Sequence, residues 1–132
     1  MAINVHTFLD FLLGVGIFAN DNPASNVSTV IADTNNQIGT LYCSSGSQTN
    51  GIGQWFAPDG EEITQNSGGS FTVVHGGGHF PSYIGLELKP GLSLSMFDEG
   101  VYTCIIPDES GIQQTLHIGL YCHGHYGMNM RR

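Results

Sequence analysis

Charge is what this sequence has least of. Asp, Glu, Lys and Arg make up 11% of its 132 residues, against roughly a quarter in an ordinary soluble domain. Basic residues are scarcer still: Lys89, Arg131 and Arg132 face eleven acids, for a formal net charge of −8. Phosphate backbones are gripped by clusters of Lys and Arg, so this balance excludes nucleic acid as a partner. It disfavours an anionic membrane surface for the same reason. The longest apolar stretch, residues 8–19, contains Asp10 and is too short to span a bilayer. A membrane link is therefore expected only through an anchor in a longer parent chain. The glycines at 76–78 lack the Lys and Ser/Thr that complete a phosphate-binding loop. There is no Gly-x-Ser-x-Gly elbow, and no catalytic motif surrounds any histidine. The expectation is a domain that is not an enzyme, with no cofactor and no small-molecule substrate.

Histidine and cysteine invite a metal reading. His75 and His79 flank the glycine triplet, and Cys122-His123-Gly124-His125 lies near the C-terminus. Zinc sites take these residue types, but their strong sequence forms pair two well-spaced ligand clusters. A glycine-rich loop and a chain end fix no such geometry, so these are read as loop and tail histidines and no metal site is expected. A small extracellular His/Cys metal-binding protein remains the alternative of a different class.

What is present is a succession of short strand patterns between turn residues, with no room for a helix of any length. Residues 28–32, 38–44, 53–57 and 61–64 read as strands. Pro58-Asp59-Gly60 is a turn in which Pro presets φ, Asp bonds locally and Gly accepts positive φ. Residues 71–74 and Tyr83–Leu88 are further candidates. After the Lys89-Pro90-Gly91 turn, residues 92–96 alternate Leu-Ser-Leu-Ser-Met, the period of a half-buried strand. Residues 101–106 form another, and 107–111 close a compact hairpin. In the last strand Ile112, Leu116, Ile118 and Leu120 share one face, with Gln114 the exception.

One stretch organises the rest: Asp98-Glu99-Gly100-Val101-Tyr102-Thr103-Cys104, preceded by Cys43 in Leu41-Tyr42-Cys43 and by Trp55. Cys, then Trp, then Asp-x-Gly-x-Tyr-x-Cys resembles the immunoglobulin superfamily, of the type found in cell-adhesion and receptor ectodomains. The resemblance implies an all-β fold, an immunoglobulin-like Greek-key β-sandwich of two antiparallel sheets. Residues 28–32 then stand as strand A, 38–44 as B, 53–57 as C, 92–96 as E and 101–106 as F. The resemblance also implies a disulfide between Cys43 and Cys104. Tyr102 and Cys104 share a face by strand alternation, as do Leu41 and Cys43, so such a bridge would join the sheets through their centre against Trp55. Asp98 and Gly100 suit the turn before strand F, and Tyr102 holds the tyrosine-corner position, with its hydroxyl bonded back to the turn. Two features of antigen-receptor variable domains are missing, the Gly-x-Gly bulge of strand G and a long F–G loop. No Arg is placed to pair with Asp98, which leaves Lys89 as the one candidate cation.

A disulfide persists only in an oxidising compartment, which implies secretion or the cell surface. Residues 1–19 are accordingly expected to be a signal peptide, with Ile17 and Ala19 at the −3 and −1 positions, although no Lys or Arg precedes the apolar run. Residues 20–26 read as a linker, 27–121 as the immunoglobulin-like domain and 122–132 as a tail. Asn26-Val27-Ser28 is a glycosylation sequon, expected away from the binding face. Cys122 is left over, free to crosslink chains or to pair with a cysteine of a longer parent.

In the implied architecture strand F lies between C and G. Residues of outward parity there are Phe56, Val101, Thr103, Ile105, Gln113, Thr115 and His117, an apolar patch with a polar rim. This face is the expected site for a protein ligand, homophilic or heterophilic. The function implied is an extracellular recognition or adhesion module, from the ectodomain or a secreted fragment of a surface protein. A secreted binder or decoy is the alternative.

Overall fold

The structure, a computed structural model, describes residues 16–19, 27–44, 53–76, 83–108 and 110–124. Among these residues nine strands form two sheets: β1 (Gly16–Ala19), β2 (Thr29–Ile31), β3 (Leu41–Ser44), β4 (Gln54–Phe56), β5 (Glu62–Ile63), β6 (Phe71–Gly76), β7 (Tyr83–Leu88), β8 (Gly100–Pro107) and β9 (Gln113–Tyr121). The first sheet has the order β1-β3-β7-β6 and the second β2-β9-β8-β4-β5. The two stack face to face as an immunoglobulin-like sandwich.

Alternating apolar residues from both sheets fill the space between them. Cys43 of β3 and Cys104 of β8 are disulfide-bonded across it, 61 residues apart in sequence, and both are fully buried. Closing a loop of that length stabilises the folded state by about 4 kcal/mol in the chain-entropy account. Trp55 of β4 lies beside Cys104 in register and is 0% exposed. Its indole N–H donates to the Ile84 carbonyl of β7 at 3.0 Å, a hydrogen bond from one sheet to the other. A buried indole needs such a partner, and this one fixes the spacing of the layers.

The first sheet is antiparallel throughout, but the second is mixed, because β2 runs parallel to β9. This corrects the expectation of two antiparallel sheets. Alternation along a sequence reports which face of a strand is buried and not the direction of its neighbour, so the parallel pair has no sequence mark.

A second correction concerns residues 92–96, expected as strand E. They form no strand, and Met96–Asp98 is a single 3₁₀ turn. An alternating strand would bury Leu92, Leu94 and Met96 together, yet Leu94 is 2% exposed while Leu92 and Met96 are 41% and 63% exposed. The segment is held by others instead. Leu94 donates its N–H to the Asn36 carbonyl at 2.7 Å, and the Gln37 side chain bonds the Leu92 carbonyl and Ser93 Oγ. The strand position between β3 and β6 is taken by Tyr83–Leu88. Ile112, expected on the inner face of the last strand, precedes β9 and is 62% exposed.

Both ends of the domain enter the core. Ile17 of β1 is 2% exposed and accepts a hydrogen bond from the Val27 N–H at 2.9 Å. Cys122, just past β9, is buried among the same core residues. Its amide donates to Glu99 Oε2 at 2.8 Å and its thiol to the Leu94 carbonyl at 3.6 Å.

Candidate protein-binding face

The turn that launches β8 sets the position of everything on it. Gly100 has φ +143, and a Cβ there would stand 2.8 Å from a Pro58 ring carbon, so both backbone and space call for glycine. Asp98 Oδ2 accepts from the Ser95 N–H and hydroxyl, each at 3.0 Å, and closes the 3₁₀ turn. The Tyr102 hydroxyl donates to the Asp98 carbonyl at 2.6 Å, and burial, with Asp98 and Asp59 nearby, holds the phenol well above its ordinary ionisation range. Lys89 does not pair with Asp98; its ammonium donates to the Ser67 carbonyl.

With Tyr102, Cys104 and Ile106 turned inward at 2%, 0% and 1% exposure, the alternate residues of β8 turn outward. The strand registers then assemble the outer face row by row. Phe56, Thr103 and His117 lie side by side across β4, β8 and β9. Gln54, Ile105 and Thr115 form the next row, and Gln113 stands opposite Pro107 beyond it. In the other direction Val101 sits opposite Gly119, which is opposite Thr29 of β2. Val101 is half exposed, Phe56, Thr103 and Ile105 are partly exposed, and Gln113, Thr115 and His117 are exposed. Thr103 Oγ1 and His117 Nδ1 are hydrogen-bonded at 3.0 Å in the middle of the face.

Two residues of this face carry no mark in the sequence. Ile31, 49% exposed, extends the apolar surface onto β2, and its register partner Tyr121 lies beside it. The Tyr121 ring folds over Gly119, where a Cβ would come within 2.8 Å of it. Both were hidden by the parallel pairing of β2, which brings the start of the domain onto the sheet of β8 and β9. Asn26 of the sequon lies outside the described residues, but the Ser28 carbonyl accepts from Gly119 N at 2.9 Å. The Val27 N–H of the same triplet bonds to Ile17 of β1 in the other sheet, so Val27 and Ser28 lie where the chain passes from one sheet to the other.

Among the described residues, the strands of the opposite sheet carry no exposed large apolar side chain, and Thr72, Val74, Tyr83 and Glu87 are its partly exposed outward positions. On β1 and β3 the outward positions Phe18, Tyr42 and Ser44 are 5%, 8% and 0% exposed, and Gly85, the partner of Tyr42 on β7, is buried. The Tyr42 and Tyr83 rings meet edge to face at 5.0 Å there. Among the described residues no three His, Cys, Asp or Glu side chains are grouped as a metal would need. His79 and His125 lie outside the described residues. No described helix is long and apolar enough to cross a membrane.

No family model and no curated protein matches the chain. Solved structures do. The chain is similar to Dpr2 Ig1-Ig2 in complex with DIP-Theta Ig1-Ig3, with TM-score 0.55 and 20% identity over 80% of this chain and 31% of that one. It is similar to Dpr11 IG1 bound to DIP-gamma IG+IG2, with TM-score 0.50 and 14% identity over 74% of this chain and 48% of that one. The fold is that of an immunoglobulin domain. The Ig1 domain of mouse SynCAM 2 is a further likeness, with TM-score 0.49 and 20% identity, covering 74% of this chain and 90% of that one. This immunoglobulin-like chain spans about a third of the first of these structures and about half of the second.

Proposed function

We propose that this domain is an extracellular recognition module that binds another protein through the outer face of its five-stranded sheet. The observation that carries the reading is an asymmetry. The exposed large apolar residues that lie on strands, Val101 and Ile31, both belong to this sheet, with Phe56 and Ile105 partly exposed on adjacent strands and Gln54, Gln113 and Thr115 around them; no described strand of the other sheet carries one. A contiguous apolar patch with a polar rim is the anatomy of a protein interface. Two similar structures, Dpr2 with DIP-Theta and Dpr11 with DIP-gamma, are complexes between immunoglobulin domains. They support a second immunoglobulin-like domain, of the same or another chain, as the partner.

Export belongs to the same reading, since the disulfide needs an oxidising compartment. So do removal of an N-terminal segment and glycosylation at Asn26. N-terminal sequencing of the secreted chain distinguishes a start at Asn20, which removes β1, from a start before Gly16, which keeps it.

The decisive experiment changes Phe56→Asp together with Ile105→Asp. Both side chains are outward, so the thermal midpoint should hold while self-association in sedimentation, or adhesion in cell-aggregation assays, is lost. Association equal to the parent's, with the fold intact, would remove this face from consideration.

A further inference from the structure

Where the β4–β5 turn, residues 67–70 and the 3₁₀ turn converge, a cleft of about 450 Å³ opens to solvent. Its floor is apolar: Ile63, Phe71 and Tyr102 are 7%, 4% and 2% exposed, and the Phe71 and Tyr102 rings lie 5.2 Å apart. Phe97 also lines it and is 95% exposed, an aromatic ring with both faces free. The rim carries Asp59, Glu61, Glu62 and Asp98, and the one cation nearby, Lys89, is engaged with the carbonyl of the lining residue Ser67. Two of these carboxylates are occupied with the backbone: Asp59 accepts from Glu61 N at 2.9 Å, and Asp98 braces Ser95. Glu61 and Glu62 are exposed.

We propose that this cleft is a docking site for an arginine side chain presented by a protein partner. An apolar floor below a carboxylate rim fits a side chain that is itself aliphatic along its stem and cationic at its head. The free ring of Phe97 adds a preference within that class. A planar guanidinium stacks on an aromatic face and can still hydrogen-bond carboxylates at its edge, which a compact ammonium does not do as well. A second copy of the chain is a poor occupant, because each copy carries −8 and offers Arg only at positions 131 and 132. An anionic lipid surface is repelled by the same rim. The site adjoins the sheet face at Glu62, the register partner of Phe56, but its floor of Ile63, Phe71 and Tyr102 is turned inward, so it adds a second contact to the binding face and does not restate it.

The test is an amide-shift NMR titration of the full chain at 0.15 M salt. The probe is a blocked five-residue peptide with one central arginine between glycines. Saturable shifts are expected at Glu61, Glu62, Phe97 and residues 67–70. The lysine peptide should bind roughly threefold more weakly and the citrulline peptide, same shape without charge, at least about tenfold more weakly. Phe97→Ala, and separately Glu61→Gln with Glu62→Gln, should each weaken binding about fivefold with the remaining spectrum unchanged. The Ile105→Asp chain, changed on the sheet face away from Glu62, should bind the peptide as the parent does, which keeps this outcome separate from that of the sheet face. Equal binding of the citrulline peptide, indifference to Phe97→Ala, or shifts spread without saturation over the acidic surface would each overturn the proposal.

Discussion

Cys122 shows how much a single side chain's surroundings decide. From sequence it is an odd thiol open to crosslinking; in the fold it is 9% exposed and hydrogen-bonded to Leu94. Burial, with Glu99 beside it, pushes its ionisation above the ordinary thiol range. Burial does the same to the phenols of Tyr102 and Tyr42. Free thiols ionise near about 8.5 and phenols near about 10, so above those values the unfolded chain has released protons that the folded chain retains. Stability from these groups is therefore complete below the unfolded values and is lost as pH rises through the folded ones. The urea midpoint should be flat from pH 6 to 8, fall from above about 8.5 and steepen above about 10. Cys122→Ser should remove the first part of the decline and leave the second. A midpoint that holds or rises to pH 10 would contradict this account. In the native state at neutral pH the thiol should resist aromatic disulfide reagents and react once urea is added.

At the scale of elements, the N-terminal strand is the most exposed to experiment. β1 pairs with β3 from Gly16↔Ser44 to Ala19↔Leu41 and places Ile17 in the core. A chain beginning at Asn20 forfeits that pairing and roughly 2 kcal/mol of apolar burial. Its thermal midpoint should lie about 10 °C below that of a chain beginning at Gly16, read by calorimetry. Equal midpoints would mean that β1 contributes nothing to the mature domain. Strands that flank the disulfide were legible because Trp55, Tyr102 and Cys104 fix the inward parity and so the outward one. That is why Phe56, Thr103 and Ile105 could be assigned a face from sequence. The alternation at 92–96 misled because each of its apolar residues answers to a different neighbour: Leu94 packs with Cys122, while Leu92 and Met96 face water. Ile31 and Tyr121 were illegible for another reason. Their place depends on a partner strand about ninety residues distant, and pairing at that separation leaves no periodic trace.

For the whole molecule, charge separates the two kinds of partner. Two copies at −8 repel each other over a Debye length of about 8 Å at physiological salt. Homophilic association should therefore strengthen as sodium chloride rises from about 0.05 to 0.5 M, because screening removes repulsion and leaves apolar contact. A basic partner should show the reverse, with its on-rate falling most. Sedimentation across that range reads the first and surface binding kinetics the second; homophilic association that weakens with salt would count against an uncharged contact face.

The parallel seam between β2 and β9 bears on tension, a load that pulls the two strands apart along the chain. Thr29, Val30 and Ile31 run alongside Gly119, Leu120 and Tyr121 in the same direction. A force that draws the chain backward from β2 and forward from β9 slides the two strands past each other. The hydrogen bonds of the seam are then strained together, whereas an antiparallel pair pulled from one end opens a bond at a time. The short strand that sequence periodicity could not orient thus meets a load applied across β2 and β9 with all three of its paired residues at once.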